Sequence, residues 1–314
     1  MRVFFSIPSR PFLASFALVV VLATTTATHA ASIECLKTWP GSSIGDAKRA
    51  ERVQALIREM FPSGFSPLGR CKAAGIIGRI EKGDHAAFRK LYRANHPALE
   101  SVYLISPGGD ADEAISIGLM LRKYLLEAYA PAGSSDGTGF LTLPKHGDCA
   151  GRECVCASAC ALIWFGAVSR SGEVGLHRPI ITDPTFRTMA PSKASRMYKR
   201  VLGRVKSYLA DVETSPALIN AMVATDSSEI KWVNEWDHLL KEPPSIAEWI
   251  NSSCGAFTEN QIRKYIELIT RRGRGGSLTA DEEDLSHKLG MQYSKRLNCM
   301  WRLKRVHRDA LSPP

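Results

Sequence analysis

Beyond its first thirty residues the chain has no apolar run long enough to cross a bilayer, no internal repeat and no long low-complexity tract. Those absences exclude a polytopic membrane protein, a solenoid and a disordered linker protein. Paired Cys-x-x-Cys knuckles are also missing. The clustered cysteines at 149, 154, 156 and 160 are spaced by four, one and three residues, which is not a zinc-ribbon pattern. The one arginine-rich run, Arg271-Arg272-Gly273-Arg274, has no interleaved aromatics on which bases would stack. It reads as a solvated turn between helices, and no specific nucleic-acid partner is expected.

What the chain does have begins at its N-terminus. Arg2 and Arg10 precede an apolar run from Phe12 to Ala23, and small residues close it at Thr28-His29-Ala30. This pattern predicts a secretory signal peptide over 1–30, a mature chain starting near Ala31, and a periplasmic or secreted protein. Membrane attachment is expected only if that segment stays uncleaved. All eight cysteines follow it, an even number in an exported chain, so disulfides are expected. Cys154 with Cys160, or Cys149 with Cys156, are candidate pairs bracing the segment around Ser158. The net charge of +10 suits anionic surfaces or acidic ligands without specifying either.

Periodicity divides the remainder into an α/β region over 31–242 and a basic helical segment over 243–314. Ser101-Val102-Tyr103-Leu104-Ile105 reads as a buried strand that runs directly into Ser106-Pro107-Gly108-Gly109. Ala114, Ile117, Leu121, Tyr124 and Leu125 then fall on one face of a helix. A strand, a glycine turn and a helix make a β-α unit with the turn at the strand's carboxyl end, where α/β proteins hold ligands. Further strands are predicted over 75–80, 140–143, 173–176 and 230–233. Helices are predicted over 49–60, 157–165, 192–212, 216–224, 259–271 and 280–305, with a Pro-Pro break at 243–244.

Three residue types in these segments supply acyl-transfer chemistry. Gly108 and Gly109 lack Cβ and can bring backbone N–H groups up to a carbonyl. Ser158 stands where a polar loop meets an apolar helix; the ordinary role there is a helix cap, yet a hydroxyl so placed also has the Ala159 amide beside it. His177 ends the apolar run Val174-Gly175-Leu176, a setting that more often holds a structural histidine than a base. Cys160 is a lesser candidate nucleophile, since thiols among thiols outside the cytoplasm oxidise.

Ile105-Ser106-Pro107-Gly108-Gly109, Ala157-Ser158-Ala159-Cys160-Ala161 and Val174-Gly175-Leu176-His177-Arg178-Pro179, in this order, resemble the segments that carry chemistry in the ClpP/crotonase superfamily. The likeness covers about Gly75 to Leu240 and extends to an exported bacterial branch of ClpP-like proteins. It implies a repeated β-β-α core with a C-terminal helical appendage, and a serine hydrolase acting on a peptide or another acyl compound without a cofactor or metal. The resemblance assigns Ser158 as nucleophile, His177 as base, and Gly108 with Ala159 as oxyanion donors, with Gly109 in the substrate-binding turn. For the orienting acid Asp226 is the choice and Glu229 the runner-up; a Ser-His dyad is the third option. Two departures stand out: only nineteen residues separate Ser158 from His177, and the cysteine-rich loop is foreign to the cytosolic proteases. The alternative expectation is therefore an inactive domain of this fold serving as an envelope binding or scaffold module. Homo-oligomerisation is left open.

Overall fold

The structure is a computed structural model and describes residues 30–39, 55–181, 184–234 and 243–314. The expected signal segment, but for Ala30, and the first part of the helix expected over 49–60 lie outside these residues; 55–60 are helical. Among the described residues no helix is long and apolar enough to cross a membrane.

A five-stranded sheet organises the molecule. Its order is β1 (Ser32–Thr38), β2 (Cys71–Ile77), β3 (Ser101–Ile105), β4 (Glu127–Tyr129) and β7 (Ser169–Ser171). Neighbours from β2 onwards pair in parallel, and β1 runs antiparallel along β2. Parallel strands need crossovers, and helices supply them: α1 (Asp84–Asn95) joins β2 to β3, and α2 (Ala111–Lys123) joins β3 to β4. Phe88 and Tyr92, one turn apart, turn the same face of α1 into the core. Asp110 starts α2 by accepting from the amides of Asp112 and Glu113. The mixed α/β class expected from the sequence is thus present.

Two further antiparallel pairs accompany this sheet, a β-hairpin and a pair of strands far apart in the chain. One pairs β5 (Phe140–Leu143) with β6 (Gly147–Ala150), the other β8 (Glu173–Leu176) with β9 (Lys231–Asn234). Between them α3 (Ala159–Gly166) is buried at every position, which explains its uninterrupted apolar sequence. Two long-range features of the N-terminal region were not apparent in the sequence: β1 is a strand, and Cys35 fastens it to Cys71 at the start of β2.

After β8 come α4 (Pro191–Asp211) and α5 (Pro216–Ala224), and after β9 come α6 (Pro244–Cys254), α7 (Glu259–Gly273) and α8 (Ala280–Ala310). Thr258 with Gln261 and Thr279 with Glu282 form capping boxes that start α7 and α8. The Pro-Pro break proves to be a helix start, because proline suits the first helical position. Arg271 of the arginine run reaches Glu267 and Glu282, joining α7 to α8. The end of α8 docks on the sheet through Lys304, Arg305 and Arg308, three cations that look like a solvated face in the sequence.

Candidate active site

The chain around Ser158 is gripped from both sides. Ser106 at the end of β3 donates its N–H to Val155 and accepts from Ala157, while Gly175 in β8 donates to Cys156 and accepts from Ser158. Residues 155–158 therefore run as a short strand between β3 and β8, and α3 begins immediately afterwards. At the junction Ser158 adopts φ 57°, ψ −121°, in the positive-φ region that L residues avoid. Its side chain makes no capping hydrogen bond. The helix-cap role is thereby removed, and a strained serine at a sharp strand-to-helix turn is the geometry that projects a nucleophilic hydroxyl.

Against this turn lies the glycine pair. Gly108 has φ 105°, and a Cβ there would stand 2.6 Å from Ser158 Cβ and 3.0 Å from its Oγ. Gly109 has φ 142°, and a Cβ would fall 2.0 Å from the Ile80 carbonyl oxygen. Close approach therefore requires glycine at both positions. Their amides differ. The Gly108 N–H donates to Ser106 Oγ at 3.1 Å, so it is already occupied. Among the described residues the N–H groups of Gly109 and Ala159 have no protein acceptor, and both residues line the cavity at Ser158. The pair of available donors is thus Gly109 with Ala159, where the sequence suggested Gly108 with Ala159.

That cavity has a volume of about 350 Å³ and brings together Ser158, Ala159, Gly109 and His177. Val201 and Val205 of α4, Met222 of α5 and Leu162 of α3 provide an apolar wall, which the sequence did not associate with the site. The spacing of the two valines was the available signal, since residues four apart share a helix face.

His177 Nδ1 lies 2.8 Å from the Arg178 carbonyl oxygen. A carbonyl only accepts, so in the neutral ring Nδ1 carries the proton and Nε2 keeps its lone pair. No hydrogen bond joins His177 to Ser158 among the described residues, although both line the cavity. Asp226 is directed elsewhere: it pairs with the Arg178 guanidinium and accepts from Ser228 N at 3.0 Å and Ser228 Oγ at 2.9 Å. Those Ser228 hydrogen bonds, with Arg178 adding to them, hold the Asp226 carboxyl below its ordinary range. The Arg178 amide donates to Thr225, so Asp226 helps anchor the residue whose carbonyl holds His177 rather than holding His177 itself. Glu229 is exposed, with its backbone N–H on the Asp226 carbonyl.

The cysteines pair otherwise than in the two candidate pairings. Cys149 bonds to Cys154, and Cys156 to Cys160. Cys160 is therefore no free thiol, and none of the four clustered sulfurs is left as a thiolate for a metal. The second bridge closes a ring of five residues that holds both Ser158 and the Ala159 amide. Cys254–Cys299 ties α6 to α8.

No family model matches this chain, and no curated protein matches it. Among solved structures it is similar to a mutant ClpP1 from Listeria monocytogenes, with 15% sequence identity over 60% of this chain and 93% of that one and a TM-score of 0.36.

Proposed function

We propose that the chain is an exported serine hydrolase of peptides or other acyl compounds, with Ser158 and His177 as a catalytic dyad. Ser158 Oγ attacks the acyl carbon while His177 Nε2 takes its proton. The Gly109 and Ala159 amides receive the oxyanion, and His177 returns the proton to the leaving group. Water then attacks the acyl-enzyme, with His177 again as base. The Arg178 carbonyl fills the orienting role that a carboxylate has in a triad. The cavity's apolar wall suits a hydrophobic group next to the scissile bond.

One observation carries this reading: Ser158 holds a positive φ with its hydroxyl uncapped, beside two amides that have no acceptor among the described residues. A merely structural serine gains nothing from that strain. The eight cysteines paired in four bridges support an oxidising compartment. A second reading, a binding domain of the same fold, draws on the absence of a Ser158–His177 hydrogen bond. Unliganded sites commonly tighten only on substrate, which leaves the catalytic reading ahead. Hydrolysis of fluorogenic peptide and ester libraries by the wild type, Ser158→Ala and His177→Ala separates the two. Turnover lost in both variants supports the dyad; turnover unchanged in either removes it, and no turnover by the folded wild type favours the binding domain.

A further inference from the structure

A second cavity lies at the opposite end of β3, between the sheet and α8. Strand register builds its floor. Lys37, Ala73, Ser101 and Glu127 are successive lateral neighbours across β1 to β4 and share one face. The two central members, Ala73 and Ser101, are small. A hollow of about 240 Å³ is left above them. Tyr103 and Tyr129, stacked with centroids 5.0 Å apart, form one wall. Trp301, Lys304, Arg305 and Arg308 of α8 close the other side.

The charge of this hollow is unbalanced. Glu127 is matched by Lys304 at 2.6 Å, an ammonium whose side chain is only 2% exposed. Glu100 alone serves Lys72 at 3.5 Å, Arg305, and Arg308 at 3.6 Å. Lys37 stands at the rim with no ion pair among the described residues. Five cations thus line a concave space with two carboxylates. Lys72 and Arg305 also lie over the Trp39 ring, which leaves the net positive charge of the hollow unchanged, so the cations beyond two ion pairs raise self-repulsion there. Two donors are also unspent: buried Arg308 Nε has no partner, and the Tyr103 hydroxyl has no acceptor among the described residues. A buried unpaired donor, a half-buried free hydroxyl and surplus positive charge in a preformed hollow share one remedy, an anion in the hollow.

We propose that this cavity is a binding site for a small dianion, a dicarboxylate or a phosphate, held by Lys37, Lys72 and Arg308 with the Tyr103 hydroxyl as a further donor. The site lies roughly 16 Å along β3 from the Ser158 turn and its occupancy does not depend on catalysis.

Calorimetric titration of the purified protein with sodium succinate and, separately, inorganic phosphate tests it, each against sodium chloride at equal ionic strength. Saturable binding of one or both is expected, and the stronger binder identifies the source. Lys37→Met/Lys72→Met, which leaves the Lys304 and Arg305 tethers intact, is expected to weaken it by about tenfold or more. Ser101→Val, which narrows the floor and removes its hydroxyl without removing a charge, is expected to weaken it while far-UV circular dichroism stays unchanged. Absence of saturable binding to the wild type, or equal affinity in both folded variants, would overturn the proposal.

Discussion

At the scale of single residues, the sequence pointed to Ser158 and His177, which the structure brings to one cavity, because their neighbours carry the signal: small residues around a hydroxyl at a loop-helix junction, and an apolar strand ending in an imidazole. Which amide is available was not legible. Gly108 and Gly109 are equivalent in sequence, and only the position of Ser106 Oγ, which accepts from Gly108, distinguishes them. Asp226 illustrates the same limit, since a carboxylate three-dimensionally close to several groups is claimed by Arg178 and Ser228. A carboxylate bonded directly to the base would cost about 10⁴-fold in kcat on amidation. Asp226→Asn should lower kcat by less than about tenfold, because the Arg178 carbonyl still holds Nδ1. A fall of three or more orders of magnitude in a steady-state assay would return Asp226 to the catalytic set.

At the scale of elements, long amphipathic or wholly apolar segments were readable: Pro216–Ala224 forms with the expected bounds, and α7 and α8 begin where expected. The four-residue strands Phe140–Leu143 and Glu173–Leu176 also form with the expected bounds, whereas the three-residue strands and β1 were not readable. β4 and β7 have three residues each, too few to show alternation, and β1 carries Glu34 and Lys37 as an edge strand held by Cys35–Cys71. For the proposed reaction the element to test is the five-residue ring closed by Cys156–Cys160. By loop entropy so short a ring contributes only about 2 kcal/mol to stability, so its main effect is to restrict the Ser158 turn. Cys156→Ala/Cys160→Ala should retain the wild-type circular dichroism spectrum yet lose about a hundredfold in acylation rate, the scale of an ångström-sized misplacement. Cys149→Ala/Cys154→Ala, outside that ring, should acylate at close to the wild-type rate. Equal rates in the two double variants would show that the ring does not position the nucleophile.

At the scale of the whole molecule, the C-terminal segment looked separate in sequence because its cations suggest solvent. Folding instead places Lys304 and Arg308 under the helix, where Glu127 and Glu100 meet them. Removing one partner of such a pair leaves a buried charge, so Lys304→Met should cost about 3–5 kcal/mol; adding Glu127→Gln should recover much of that loss in denaturant titrations. The pair also sets a pH dependence. Burial pushes the Glu127 carboxyl up, but Lys304 and the Tyr129 hydroxyl outweigh it and hold the group below 4.5. A carboxyl depressed in the folded state stabilises fully above its unfolded value and loses that contribution as pH falls through the folded value. Melting temperature should therefore drop more steeply below about pH 4.5 in the wild type than in Lys304→Met/Glu127→Gln.

Covalent capture tests the proposed nucleophilic role of Ser158 without depending on a known substrate. The purified protein is treated with a fluorophosphonate, its intact mass is measured, and the modified peptide is sequenced. A single adduct on Ser158 is expected, formed slowly or not at all in His177→Ala and absent from Ser158→Ala. A folded wild-type protein that stays unmodified, or an adduct on any other residue, would contradict it.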